Sequence, residues 1–592
     1  MTTADERTWP AHGPVLWLGE WCRLYSRRPA WEALNGEVLP YHWKDREQFE
    51  QDFHYLDSFY EKTLNSLANQ LNTLHCTSYS TRYWRILAGP WLAYFIHILY
   101  DRWLSVHAAV IQYPMVETTV LPPGKDPVAP NDMSDFLRMT RGDEWNSRVY
   151  AELIETSTSI TVNKLCDKQS MAAPDAAMVP LNRRADRQGV RKRIIGIVRA
   201  LAFRIARMVG RPDDVFINVP YLSKKTLVQV FLRLRQFPVM WDFVPAPYVD
   251  EDATQRAWSL NETGGNEFEE YLLAQIPRHL PRFCLEGYGA LMKVVENLPW
   301  PTRPRVLYTA NVIWHDAVSM AYFAEKSERG SRIVYGQHGG VYGTAKFQFA
   351  RRHESKISDL YLVWGAAGVE CPHERKVGIT KVDSPCRVEF GRNRRLLLVT
   401  LNTPRYSYRL CSETARDFIG DLNDSYSMIE ALKPTVQRET LVRLIPVELG
   451  WALPQRWRDR YPFLAIDPGY QDIYELMRTS RLVIFNYNQT GFLETMAMRI
   501  PSILICDYRK KYPLRSVALP LYQMLERVGI CHLTPESAAA HVNRVWDNID
   551  GWWSSSDVQG ATTSFCQAYC ELEDGLADRI FEQLASAASS FV

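Results

Sequence analysis

Hydrophobic and polar positions along this chain fall into two regimes that change near Pro299–Arg305. Before that point apolar residues recur at helical spacing. Within Asp45–Leu74, Phe53, Leu56, Tyr60, Leu64, Leu67 and Leu71 return every three or four residues, the mark of one amphipathic helix face. A second helical block runs over Arg82–Asp101, and Pro14–Cys22 (PVLWLGEWC) reads as an apolar strand entering a turn. Leu121–Asp132 (LPPGKDPVAPND) is too proline-rich for anything but a loop. Beyond Arg305 short apolar runs alternate with amphipathic stretches: RVLYTAN, RIVYGQHG, LYLVWG, RLLLVTLN, TLVRLIP, FLAIDP, RLVIFNYN, PSILICD and CHLTP. That alternation predicts βαβ units and parallel sheets. The expected fold is α/β, a pair of Rossmann-like domains with a cleft between them, plus a large helix-rich N-terminal region. The expected divisions are 1–167 (N-terminal α/β region), 168–189 (linker or mobile loop), 190–391 (middle Rossmann-like domain) and 392–592 (C-terminal Rossmann-like domain). A closing helix with Leu572, Leu576, Ile580 and Leu584 is placed to pack back over the pair.

Composition narrows this picture. A chain of 592 residues exceeds what one core holds. A net charge of +2 gives no global pull toward nucleic acid, and none is expected as a partner. The 11 cysteines are scattered without a CxxC pair, as in a reduced cytoplasmic protein, and Cys566 and Cys570 fit a core better than a metal. The start, MTTADERTWP, lacks the basic and apolar character of a signal peptide. Ile86–Tyr100 is too short to span a membrane and carries Pro90 and His97, so a buried helix is expected. Charge does concentrate at Arg183–Arg211, with ten basic residues against the single acid Asp186 and an apolar stripe of Ile194, Ile197, Val198, Leu201 and Ile205. Residues 190–211 therefore form either a peripheral contact with an anionic membrane surface or a core helix with a solvated basic face.

In open α/β sheets ligands bind beyond the carboxyl ends of strands, which directs attention to the residues just after each run. After LVIF come Asn486, Asn488, Gln489, Thr490 and Gly491, opening a helix whose free N–H groups suit a phosphate. Asn488 and Thr490 are candidate donor-binding residues, Gly491 permits close approach, and Glu494 is placed to accept ribose hydroxyls. The alternative is a helix cap completed by Glu494. After RIVYG come Gln337, His338, Gly339 and Gly340, which expose an imidazole and backbone N–H groups; His338 is a candidate general base or a donor to a departing phosphate. Glu354 is a candidate base or nucleophile, or a partner of an adjacent arginine. Asp316, after VLYTAN, is a candidate carboxylate or a helix cap. Arg443, in TLVRLIP, needs an anion, either a donor phosphate or a neighbouring carboxylate. No P-loop, GxGxxG after a strand, HExxH or GxSxG is present. Asp250-Glu251-Asp252 follows VPAPY rather than a strand, so no metal or other cofactor is expected, and leaving-group charge falls to His, Arg and helix N-termini.

Taken together, WLGEWC (Trp17–Cys22), YHW (Tyr41–Trp43), Arg82–Trp103, YGQHGGVYG (Tyr335–Gly343), His353–Gly365 and Tyr487–Ile503 resemble a transferase family of bacterial O-antigen and capsule gene clusters. The resemblance implies a GT-B-like glycosyltransferase, distantly similar to metal-independent enzymes that use CMP-activated ulosonic acids such as Kdo or pseudaminic acid. It implies that Asn488, Thr490, Gly491 and Glu494 hold the nucleotide, while Gln337, His338, Gly339 and Gly340 face the sugar and leaving group. Gln489 stands where related motifs carry a small hydroxyl residue. The implied partners are a nucleotide-sugar donor and a glycan or lipid-linked glycan acceptor, the latter on the N-terminal side. Two rival readings keep the architecture: a nucleotide-sugar epimerase, and a non-catalytic subunit of a polysaccharide assembly complex.

Overall fold

A computed structural model describes residues 1–113, 117–122, 127–165, 210–239, 241–366, 371–385, 395–411 and 418–589. The linker expected at 168–189 and the basic stretch 190–209 lie outside the described residues.

In the N-terminal region β1 (Pro14–Trp17) pairs in parallel with β2 (Asn35–Val38), and β3 (Glu117–Val120) with β4 (Thr161–Lys164). Between them run α1 (Arg46–His75) and α2 (Gly89–Gln112). Asp45 caps α1 by accepting from the Glu47 and Gln48 N–H groups, and Cys76 ends it in the left-handed conformation. The 3.6-residue stripe from Phe53 to Leu71 is buried. Helix α2 buries every residue from Pro90 to Leu99, including His97, which makes it a core helix. Among the described residues no helix is long and apolar enough to cross a membrane.

The middle sheet runs in sequential order through β5 (Phe216–Ile217), β6 (Val306–Thr309), β7 (Arg332–Gly336), β8 (Leu360–Val363) and β9 (Glu374–Lys376), all parallel. Its two faces separate by residue parity. Leu307, Ile333 and Tyr335 enter one core with Leu64, Trp91 and Phe95, so the N-terminal helices and this sheet are packed as one mass. Val306, Tyr308 and Val334 face the other way, under α3 (Lys224–Arg233). Helix α4 (Ala317–Glu328) follows β6 and α5 (Phe349–Ile357) follows β7.

The C-terminal sheet comprises β10 (Leu396–Val399), β11 (Thr440–Arg443), β12 (Ala465–Asp467), β13 (Leu482–Phe485), β14 (Ser502–Ile505) and β15 (Cys531–His532). Its order, β12-β11-β10-β13-β14-β15, is that of a doubly wound Rossmann sheet whose order reverses between β10 and β13. Helix α6 (Phe418–Ala431) lies between β10 and β11, and α7 (Thr490–Ala497) between β13 and β14. Helix α8 (Ser556–Tyr569) then leads to α9 (Leu576–Ser589), which returns to the middle sheet and buries Ala577, Ile580 and Leu584 against Val306 and Val334. The molecule is a GT-B-like pair of parallel sheets with a helix-rich N-terminal region. All nine apolar runs beyond Arg305 are strands; β5 and β9, two and three residues long, leave no periodicity to read.

Candidate functional site

The loops that leave β7 and β13 meet along a seam between the two sheets. The Gly340 N–H donates to Thr490 Oγ1 at 3.1 Å, Lys346 N–H to the Pro513 carbonyl at 3.0 Å, and Arg515 N–H to the Thr344 carbonyl at 2.9 Å. Glycine makes this approach possible. A Cβ on Gly340 would lie 2.8 Å from backbone atoms of Gln489 and Thr490, and one on Gly339 2.8 Å from the Tyr342 ring. The first turn of α7, with Gln489 at its N-cap position and no side-chain cap, thus faces the 339–340 turn. Neither Asn488 nor Thr490 caps the helix. Asn488 accepts from the Tyr522 hydroxyl at 2.8 Å, and Gly491 has no Cβ because one would strike the Phe485 ring at 2.7 Å. Gln337 ties β7 to β8, accepting from Trp364 N–H at 3.1 Å and donating to the Gly339 carbonyl at 2.9 Å.

His338 sits in this seam. Its Nε2 meets the Tyr342 hydroxyl at 3.0 Å, and Tyr342 donates in turn to Glu354 Oε1 at 3.1 Å. Burial, with the Arg409 charge adding to it, pushes the imidazole pKa down to about 3, so His338 is neutral at physiological pH. Its Nδ1 is buried 3.9 Å from Glu354 Oε1, with no hydrogen-bond partner among the described residues. Glu354 itself is fully buried and collects hydrogen bonds from Trp314 Nε1 (2.8 Å), Tyr342 and the Tyr361 hydroxyl (2.9 Å). Burial raises its pKa to about 8, partly offset by these donors. It touches no open space, so the expected contact with substrate is not available to it; it positions Tyr342, and through Tyr342 the imidazole. The Arg pairing that competed with that reading is not formed either, since Arg351 pairs with Glu374 and Arg352 with Asp57.

Four side chains that local sequence patterning did not single out converge here. Tyr221 follows β5 on a backbone in which both it (φ 57°) and Val219 (φ 46°) are left-handed, a strained state for a β-branched residue. Its ring lies 6.0 Å from that of His338. Lys381 Nζ stands 3.8 Å over the same ring, and no carboxylate lies within ion-pair distance of it among the described residues. Arg409, in the loop after β10, is solvent-exposed, packs 5.3 Å over the Tyr408 ring, and likewise has no carboxylate partner among the described residues. Tyr474 donates to Glu494 Oε1 at 2.7 Å, and burial holds the Glu494 carboxyl above the usual carboxylate range against the pull of that bond and of Lys381. Only tertiary structure brings residues 221, 338, 381, 409 and 494 to one place.

The remaining candidates are engaged elsewhere. Asp316 caps α4, accepting from Ser319 N–H at 3.1 Å and Ser319 Oγ at 2.7 Å, and is raised in pKa by burial. The anion beside Arg443 is not a phosphate site but Asp467 on the adjacent strand β12. Asp252 closes its own turn with Thr254 and Gln255.

Comparisons with known proteins place the chain. It is weakly similar in shape to the wall teichoic acid polymerase TagF with CDPG (11% identity, TM-score 0.35, 68% of this chain and 96% of that one). Comparable values relate it to Acinetobacter baumannii MurG (10%, 0.33, 63% and 99%) and to Neisseria meningitidis UDP-GlcNAc 2-epimerase bound to UDP-GlcNAc (10%, 0.34, 63% and 99%). No curated protein matches the sequence. A family model described as LIC12162 family transferase matches residues 1–583, and the chain belongs to that family of transferases.

Proposed function

We propose that the protein transfers a sugar from a nucleotide donor to a glycan or lipid-linked glycan acceptor, with the reaction centred on the seam at His338. The observation that carries this reading is the pair of cations at the seam: Arg409, whose charge acts on the neutral imidazole, and Lys381, over the Tyr221 ring beside it, neither with a carboxylate at ion-pair distance among the described residues. Cations without ion-pair partners beside a helix N-terminus suit the phosphate of a departing nucleotide. Glu494 accepts ribose hydroxyls in exchange for its bond to Tyr474. Thr490 and the α7 N–H groups take the phosphate once the Gly340 contact parts, so donor binding opens the seam. Once the seam opens, the neutral imidazole of His338 removes the acceptor proton, or its N–H assists the leaving group. Within this class a CMP-activated ulosonic acid such as Kdo or pseudaminic acid is the favoured donor, on the family resemblance of Tyr335–Gly343 and Tyr487–Ile503.

The test is a thermal-shift series with CMP, UDP, GDP and dTDP. A nucleotide at a hundred times its Kd stabilises the folded state by about 2.7 kcal/mol. A selective CMP shift that is lost in Arg409→Ala and Lys381→Ala is expected. A UDP or GDP shift keeps the transferase and removes the ulosonic donor. No shift with any nucleotide overturns the reading, and conversion of a nucleotide sugar without any acceptor replaces it with an epimerase.

A further inference from the structure

A cavity of about 780 Å³ lies where the N-terminal region, the 248–282 segments and the C-terminal sheet meet, and His338 is not part of its lining. Its volume is in the upper part of the range for small-molecule sites, with room for more than one sugar ring. Each wall comes from a different part of the chain: the 127–148 loop and helix, Tyr248, Arg282, and the 405 and 448–450 loops behind β10 and β11.

The lining is chemically mixed. Asp135 pairs with Arg138 at 2.6 Å and Asp143 with Arg405 at 2.7 Å, so those charges cancel. Glu144 is exposed and carries a carboxylate without an ion-pair partner among the described residues. Arg282 is 3% exposed, donates from Nη1 to the Val249 carbonyl at 2.6 Å, and keeps an Nε–H that nothing among the described residues accepts. Its guanidinium lies 4.7 Å over one face of Tyr248, whose ring is 68% exposed. An exposed aromatic residue, one uncommitted carboxylate and one under-satisfied guanidinium, in a lining whose five carboxylates are balanced by five arginines, match a ligand rich in hydroxyl groups and poor in net charge.

Contacts link the cavity wall to the seam. Ser134 donates to the His315 carbonyl at 2.8 Å. Arg141 lies 5.5 Å over the Tyr408 ring, and Arg409, which lowers the His338 pKa, lies 5.3 Å over the same ring.

We propose that this cavity is the acceptor site and binds a neutral saccharide of two or three rings, stacked on Tyr248 and held by Glu144 and Arg282, with its growing end directed past Tyr408 to His338. The assignment rests on the transferase reading. Its test does not require the acceptor's identity. Saturation-transfer NMR on the full chain uses maltotriose, chitotriose and lactose as probes, and thermal shifts with CMP and UDP are recorded on the same samples. Tyr248 and Glu144 are exposed, so Tyr248→Ala and Glu144→Gln leave the fold intact, which the unchanged melting temperature verifies. At least one saccharide is expected to bind, and each variant to weaken it about tenfold while the nucleotide shift is unchanged. Failure of all three saccharides to bind, or equal binding by wild type and both variants, overturns the cavity assignment even where the nucleotide shift stands. Saccharide binding without any nucleotide shift keeps the cavity as a glycan site and overturns the transferase reading instead.

Discussion

At the scale of single residues, burial pushes up the pKa of both acids at the seam, Glu354 and Glu494. Glu354 has a folded-state pKa of about 8, above that of an unfolded glutamate, because burial disfavours its charge. Between pH ~4.3 and pH ~8 the native state therefore binds a proton that the unfolded state has lost, and stability falls as pH rises through that window. The expected slope from this one group is about 1.4 kcal/mol per pH unit. Urea denaturation of wild type and Glu354→Gln between pH 5 and pH 8 measures it: the variant should be flatter, and parallel curves would show that Glu354 ionises freely. Arg443 gives a second residue-scale prediction. Its partner Asp467 has a side chain only 2% exposed, so Arg443→Ala strands a buried charge at a cost of about 3–5 kcal/mol. The nucleotide-induced thermal shift should survive that substitution; its loss would return Arg443 to the donor site. The sequence exposed both residues as oddities, a strand arginine and an acid near a strand, but not their partners, because Asp467 arrives from 24 residues away and the aromatic donors to Glu354, Trp314, Tyr342 and Tyr361, from three separate elements.

Among the elements, patterning carried the strands and left the junctions obscure. Leu396–Val399 and Leu482–Phe485 are buried on both faces, as central parallel strands require, and continuous apolar runs declare that directly. The glycines were legible as special without revealing why. Gly339, Gly340 and Gly491 read as open to a ligand, yet in the structure a Cβ on Gly340 or Gly491, as on Gly343 or Gly365, would meet a neighbouring part of the protein itself. That difference is testable by graded substitution. A Cβ on Gly365 would fall 2.0 Å from the Ala568 carbonyl oxygen at the end of α8, leaving no room, whereas one on Gly343 would meet the edge of the Tyr569 ring at 3.2 Å. Gly365→Ala should destabilise by about 1–3 kcal/mol or more, and Gly343→Ala by less. Gly340→Ala is distinct from both. Its clash lies on the seam, so it should hold the α7 N-terminus open and change donor affinity more than melting temperature, which calorimetric titration with CMP would register. Equal loss of stability in all three variants would argue that the seam is a rigid core and does not part for the donor.

For the whole molecule, the question is what keeps two separate sheets in one working geometry when their facing loops must part. The N-terminal helices are fused to the middle sheet through a shared core, so they move with it. The C-terminal sheet has a core on either face, one of which also takes in Trp364, Ile379 and Val382 from the middle region. Two connections join the bodies away from the seam: the loop after β10, whose Arg405 and Tyr406 reach Asp143 and whose Leu410 enters the N-terminal core, and α9, which leaves the C-terminal sheet and lays Ala577, Ile580 and Leu584 on the far face of the middle one, beside α3. Arg233 on α3 reinforces it by pairing with Asp578. A closing amphipathic helix was visible in the sequence from the spacing of Leu576, Ile580 and Leu584, but not which sheet it would cover, since the stripe specifies a face and not a partner. If α9 is a tether, weakening it should separate effects on the two bodies. Ile580→Ala and Leu584→Ala are each expected to cost about 2–5 kcal/mol, and to expose the middle sheet first while the C-terminal sheet keeps its own cores. Native-state hydrogen exchange reads this directly: faster exchange in β6 and β7, with β10 and β13 still protected, is the expected pattern, because the hydrogen-bonded ladders of each sheet report their own local stability. Uniform loss of protection through both sheets would mean instead that the pair unfolds as one unit. The seam would then be part of a single cooperative core, and donor entry would have to proceed through the existing cavities without domain opening.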